Sequence, residues 1–302
     1  MRVFVTGATG FIGSAIVPEL IDAGHQVIGL ARSDAGERLL TAAGAEAHRG
    51  HLEDLESLRT GAAKSDAVIH TAFIHDFSKF QENCEIDRRA IEAIGSALAG
   101  SDRLLIVTSG TGMGTAAPGT LRTENDPPVS SKVIPRAASE EAAAAVAAQG
   151  GRVAVMRLPQ VHDTSKQGLV TYAIGLAREK GVSAYIGEGH NRWAAAHLLD
   201  TARLYRLALE KGAADVRYHA VAEEGVRFRD IAEAIGRGMN VPVVSLTPEE
   251  APGHFGWLAT FLGWDMPASS AQTQKQLGWN PTGPGLIADL NNMRYESTRG
   301  AR

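Results

Sequence analysis

Over roughly the first half of the chain two kinds of hydrophobic pattern alternate. Val3-Phe4-Val5, Val27-Ile28-Gly29-Leu30, Ala67-Val68-Ile69, Leu104-Leu105-Ile106-Val107 and Val153-Ala154-Val155-Met156 are short, uninterrupted apolar runs rich in β-branched residues. Runs without polar alternation fit strands covered on both faces, as in a parallel sheet. Between them Ile86, Ala90, Ile94 and Leu98 recur every fourth residue, which predicts an amphipathic helix, and Glu140 to Ala148 reads as an alanine-rich helix. Strand and helix in strict alternation predict an α/β fold, a doubly wound parallel sheet of the Rossmann type. Beyond this region the pattern loosens. Helices near Thr201–Lys211 and Phe228–Gly238, with Gly/Pro punctuation at Thr247–Gly256 and Asn280–Gly285, predict a smaller, loop-rich C-terminal lobe.

The first strand runs into Thr6-Gly7-Ala8-Thr9-Gly10-Phe11-Ile12-Gly13, and an apolar helix (Ile16, Leu20, Ile21) follows at once. Gly7 suits the tight turn, Gly10 lets the backbone approach a pyrophosphate, and Gly13 allows helix and strand to pack closely, with the diphosphate facing the positive end of the helix. Thr9, Phe11 and Ile12 complete the loop. Glycines also gather in ordinary turns, but strand, loop and helix in this order point to a dinucleotide site. An NAD site normally has an acid at the end of the second strand, where it binds the ribose 2′-hydroxyl. Here that position is Ala31, followed by Arg32 and Ser33. A guanidinium beside a hydroxyl suits a 2′-phosphate, so NADP(H) is expected in preference to NAD(H). The competing reading of Arg32 is a solvated surface arginine.

Composition narrows the field. The chain has 302 residues, 44% hydrophobic and 21% charged, the balance of a folded globular protein. Thirty Lys+Arg against 34 Asp+Glu give a net charge of −4, so no overall basic field exists for nucleic acid. Cys84 is the only cysteine, which excludes an intrachain disulfide and a multi-cysteine zinc site. No apolar run approaches the roughly 18 residues needed to cross a bilayer. Met1-Arg2 leads directly into a strand-like run without a signal-peptide pattern, so a cytoplasmic location is expected. The nearest metal-like spacing, His48/His51/Asp54, lies at a strand end that the fold already explains, and no metal is expected.

The Thr-Gly-x-x-Gly-x-x-Gly spacing resembles the extended short-chain dehydrogenase/reductase superfamily, in its NAD-dependent epimerase/dehydratase branch. Other landmarks agree along nearly the whole chain. His70-Thr71-Ala72-Phe73 is similar to the fourth-strand motif that lines the nicotinamide ribose, and Thr108-Ser109-Gly110 to the fifth-strand hydroxyl motif. Met156-Arg157-Leu158-Pro159-Gln160-Val161-His162 resembles the segment that sets a proline near the nicotinamide. Asn191-Arg192-Trp193 through His197-Leu198-Leu199-Asp200, and Leu277-Gly278-Trp279-x-Pro281, resemble the segments around the last large helix and the C-terminus. The resemblance implies a cofactor domain at 1–163 and 196–222, with a substrate-binding lobe at 164–195 and 223–302.

The resemblance fails where the chemistry should be. Family reductases use Tyr-x-x-x-Lys, in which lysine lowers the tyrosine pKa for proton transfer to the carbonyl oxygen. The corresponding helix begins Pro135-Arg136-Ala137-Ala138-Ser139-Glu140, with Arg136 at the tyrosine position and Glu140 at the lysine position. No tyrosine is followed by lysine four residues on. The usual serine position reads Gly110, flanked by Ser109 and Thr111, and Gly50-His51-Leu52 has histidine where an adenine-contacting aspartate is usual. These features match the atypical branch of the superfamily.

Three readings of the altered site compete. Arg136 would serve as an electrophile for a developing oxyanion, oriented by Glu140 one turn later, or the two form a surface pair. A histidine would supply the proton: His162, His197 or His75, each weighed against a structural role, with Asp200 as the helix N-cap. Or there is no turnover, and the chain reports the NADP(H) redox state to a partner. Trp193, Trp257, Phe261 and Trp264 either wall an apolar substrate pocket or form core, with Trp193 the favoured pocket residue. The expectation is NADPH-dependent reduction of a ketone, aldehyde or similar C=X group of a small molecule. The alternatives are a nucleotide-sugar epimerase/dehydratase-like enzyme and an inactive NADP(H) sensor. A homodimer is an option; nucleic acid and membrane partners are not expected.

Overall fold

A computed structural model describes residues 1–117 and 119–295, so the last seven positions of the expected substrate lobe lie outside the described residues. Seven parallel strands form the central sheet: β1 (Arg2–Thr6), β2 (Gln26–Ala31), β3 (Glu46–Arg49), β4 (Ala67–His70), β5 (Leu104–Gly110), β6 (Arg152–Leu158) and β10 (Arg217–His219). Their order is β10-β6-β5-β4-β1-β2-β3, so the direction of winding reverses between β1 and β4. Ligands of doubly wound sheets bind at the carboxyl ends of the strands beside that reversal.

The apolar runs lie in the sheet because both faces are covered. Val3 and Val5 pack with Ile16, Leu20 and Tyr205 on one side; Phe4 packs with Ile28, Leu58 and Ile91 on the other. The covering helices are α1 (Gly13–Asp22), α2 (Asp34–Ala42), α3 (Leu55–Ala63), α4 (Phe80–Leu98) and α5 (Ala138–Ala148), joined later in the chain by α7 (Leu198–Lys211). The four-residue repeat of Ile86, Ala90, Ile94 and Leu98 is the buried face of α4. His197, not Asp200, caps α7: its Nδ1 accepts from the Leu199 amide at 3.3 Å. Asp200 instead accepts from the amides of Thr282 and Gly283, at 3.0 and 2.7 Å, and so anchors the C-terminal segment.

A second apolar cluster forms after residue 163. It holds α6 (Val170–Lys180), α8 (Phe228–Met239), the paired strands β8 (Ser183–Ile186) and β12 (Val243–Leu246), and the helix Leu286–Asn292. A three-stranded sheet, β11 (Glu223–Arg227), β9 (Arg192–His197) and β7 (Gln160–His162), links this region to the end of β6. Among the described residues no helix is long and apolar enough to cross a membrane, and no group of His, Cys, Asp and Glu is placed to hold a metal ion. Cys84 is buried, which pushes its thiol up to about 12.

His162 and His219 are fully buried, and each has an Nε2 without a hydrogen-bond partner among the described residues. Burial lowers both imidazole pKa values, so the folded state binds fewer protons than the unfolded state below about pH 6.5. Stability therefore falls with pH through that window, before carboxylate protonation contributes. The thermal midpoint is expected to drop between about pH 7.5 and 5.5, and the double variant His162→Gln/His219→Gln to flatten the slope. A midpoint independent of pH over that interval contradicts this account.

Candidate active site

The glycine loop at the end of β1 is built to leave space. Gly7 has φ +68°, and a side chain there would meet the Ala72 amide at 2.7 Å. The Gly10 amide donates to the Gly7 carbonyl at 2.8 Å, and a Cβ on Gly13 would lie 2.1 Å from that same oxygen, so helix and turn fit only without side chains. No side chain caps α1, whose N-cap is Ile12, and the exposed Thr9 and Gly10 border its entrance. An uncapped helix head beside an open glycine turn fits the diphosphate of a nicotinamide dinucleotide.

The end of β2 adds two features. Arg32 is exposed, and its guanidinium has no ion-pair partner among the described residues. The nearby carboxylates Asp34 and Glu37 are held by Arg49, at 2.8 and 2.9 Å. Ser33, in contrast, is engaged: it caps α2 by accepting from the Gly36 amide at 3.2 Å. His51 is exposed and its Nδ1 accepts from the Glu53 amide, while Leu52 is buried. Thr71 donates to the Thr6 carbonyl at 2.7 Å, and Pro159 is half-buried at the join of β6 and β7.

At the other end of the loop lies a buried polar network. The Asp87 carboxylate on α4 is fully buried. Since a carboxylate only accepts, His70 Nε2–H donates to Asp87 at 3.0 Å, and its Nδ1 shares a hydrogen bond with the Thr6 hydroxyl at 2.8 Å. Thr6 Oγ1 in turn accepts from the Ala72 amide at 3.3 Å. On the far side of Asp87, Arg136 Nη1 donates at 2.9 Å, and the Ser139 hydroxyl bridges the two groups. Burial opposes the Asp87 charge, but Arg136, His70 and Ser139 together hold its pKa below the usual carboxylate range. Arg136 Nη2 also donates to the Thr108 carbonyl at 3.0 Å, and the guanidinium lies 4.3 Å above the Phe73 ring. Its Nε–H and one Nη2–H have no partner among the described residues, and the side chain is 16% exposed.

Asp87, not Glu140, therefore orients Arg136. Glu140 points into the sheet, where Arg157 grips it with two hydrogen bonds at 2.8 and 2.9 Å and Ser109 donates to it at 2.7 Å. Ser109, Glu140 and Arg157 form a sealed structural unit, with Arg217 at its edge. Thr111 is buried in the turn after β5, and the Thr108 hydroxyl is shared with buried Tyr205 at 2.6 Å. His162 sits among Asp289 (2.7 Å), Glu223 and His197, fully buried, and cannot reach a solvent-filled cleft. Trp193 is core rather than pocket wall: it is fully buried against Phe228 and donates to the Trp264 carbonyl at 3.2 Å. Of the three histidines only His75 is on the open side of the network, its ring 5.2 Å from Phe73. Partial burial and the charges of Lys166 and Arg136 lower its pKa.

Three contributors lay outside the sequence reading. Asp87 could have been noticed as an acid on the apolar stripe of α4, next to Ile86. His70 belongs to the fourth-strand motif, whose resemblance assigns no role to its side chain. Lys166, presented by a turn that Asp163 organises, places its ammonium 5.7 Å from the Phe11 ring of the glycine loop, and nothing in its sequence neighbourhood signals this. Asp87→Ala is expected to cost about 3–5 kcal/mol of unfolding free energy, because it strands buried donors and a cation. Asp87→Ala/Arg136→Ala should cost less than the sum of its parts by about 1–3 kcal/mol in denaturant melts. Strict additivity would show that the pair is not coupled.

Comparison with known proteins agrees with this geometry. Residues 3–222 match the NAD dependent epimerase/dehydratase family. The chain is 49% identical to "Uncharacterized protein C2A9.02" of Schizosaccharomyces pombe over 98% of this chain and 100% of that one. It is 44% identical to "Uncharacterized protein YLL056C" of Saccharomyces cerevisiae over 96% and 98%. The crystal structure of Thermus thermophilus UDP-glucose 4-epimerase in complex with NAD superimposes with a TM-score of 0.74 at 20% identity, covering 96% of this chain and 97% of that one. Glycine loop, strand order and overall match give one conclusion: the chain belongs to the NAD-dependent epimerase/dehydratase family.

Proposed function

We propose that the protein is an NADPH-dependent reductase of a ketone, aldehyde or similar C=X group in a small molecule. The observation that carries this reading is Arg136, fixed by Asp87 and Ser139 with two N–H donors left over, in the segment that the sequence resemblance matches to the tyrosine position. Gly7, Gly10, Gly13 and the head of α1 would hold the cofactor diphosphate, and Arg32 would hold a 2′-phosphate. The reduced nicotinamide supplies the electron pair when bound. Arg136 directs its free N–H groups at the substrate oxygen and stabilises negative charge as it develops there. A guanidinium does not give up its proton, so the proton on the product oxygen comes from solvent. Arg49 supports the cofactor reading, because it holds Asp34 and Glu37 and so lowers repulsion of a phosphate at Arg32.

A nucleotide-sugar reaction fits less well. Arg192 is spent on Asp265, at 2.8 Å, and Arg122 on the carbonyls of Gly114 and Asp265, so neither is free to clamp a sugar diphosphate.

Two outcomes test this reading. Arg136→Ala is expected to lower kcat for carbonyl reduction by at least about tenfold and leave NADPH affinity unchanged, with Arg136→Lys recovering little because an ammonium lacks the planar fork. Normal turnover in Arg136→Ala would remove the residue from the chemistry. Arg32→Ala should weaken NADPH by more than about 1 kcal/mol relative to NADH in fluorescence titrations. Equal weakening of the two cofactors would show that Arg32 does not read the phosphate.

A further inference from the structure

From the Arg136 guanidinium a continuous path of rings leads out to solvent. The cation lies over Phe73, whose ring is 5.2 Å from His75; His75 is 6.4 Å from Phe77. Phe77 stacks on Trp257 at 4.1 Å with the ring planes only 9° apart. Tyr172 meets both rings edge-on, at 5.5 and 5.1 Å. Three separate segments converge here: the loop between β4 and α4, helix α6, and the turn at residues 256–258. Trp257 remains 41% exposed and Tyr172 37%, an unusual exposure for large rings that already have partners.

We propose that this is the substrate's binding site and that it selects flat aromatic carbonyl compounds, an inference that rests on the reductase reading above. Phe77 and Trp257 come from separate segments of the chain and stack at the separation a guest ring would adopt against either one. An aryl group enters by displacing one ring and stacking on the other, Tyr172 forms the side wall, and the carbonyl points inward to the free N–H groups of Arg136. A saturated ring of the same skeleton lacks the flat face that such a stack requires. The ring path carries no free arginine pair that would favour a phosphorylated substrate.

The experiment compares 2-naphthaldehyde with decahydronaphthalene-2-carbaldehyde. Binding to the NADP+-loaded protein is read by saturation-transfer NMR, and turnover by consumption of NADPH. The aromatic aldehyde is expected to bind at least tenfold more tightly than the saturated one. Trp257→Ala should remove at least tenfold of that affinity, and Trp257→Phe, which keeps a flat face, should retain most of it. Equal binding of the two aldehydes, or unchanged binding in Trp257→Ala, overturns the proposal. Trp257-dependent binding without NADPH consumption would support the aromatic site and reject the reductase reading. Equal turnover of both aldehydes, with affinity insensitive to Trp257, would do the reverse.

Discussion

A single buried carboxylate organises the reaction end of this protein. Asp87 has no access to water, and a charge in that position is tolerated only if it is paired and fully hydrogen-bonded. Its partners come from four parts of the fold: His70 at the end of β4, Ser139 at the start of α5, Arg136 in the turn before it and, through His70, Thr6 at the threshold of the glycine loop. Meeting the needs of one side chain thus fixes the relative positions of the cofactor loop and the cation proposed to act on the substrate.

The same constraint separates the charged residues around the head of α5. Glu140, four residues after Arg136, turns away from it, into a closed unit with Arg157 and Ser109. The segment therefore divides its charged residues: Asp87 holds Arg136, and Glu140 braces β5 against β6. Burial opposes the charge on each carboxylate, and the cation and hydrogen-bond donors around it, Arg136, His70 and Ser139 for Asp87 and Arg157, Ser109 and Arg217 for Glu140, together outweigh it, so both pKa values lie below the ordinary range.

The fold was largely legible in the sequence, and for a physical reason. Strands buried on both faces must be apolar throughout, so Val3-Phe4-Val5 and Leu104-Leu105-Ile106-Val107 announce themselves. The glycine loop is as readable, because Gly7 and Gly13 occupy places where a side chain would collide with backbone. The reaction end was legible only in part. Arg136 could be placed by its offset from Ser139, but its partner could not, since Asp87 lies 49 residues away on another helix. Helical spacing suggested Glu140; tertiary packing decided for Asp87. Aromatic residues gave a mixed signal: Trp193 and Trp257 look alike in sequence, yet one is core and the other is at the surface, because β9 runs through the C-terminal cluster while the turn at Trp257 lies on its rim.

The central claim is that the substrate oxygen is stabilised by a cation that does not titrate, so the most direct measurement is the pH dependence of kcat for carbonyl reduction from about pH 6.5 to 9.5. An arginine held by Asp87, with the proton supplied by solvent, predicts a flat profile. His75 is the one histidine candidate open to the cleft, and its lowered pKa leaves it neutral across most of that range. If kcat instead holds a plateau at low pH and then falls along a single-proton titration curve within this range, a protonated side chain is the donor, and the account given for Arg136 is wrong.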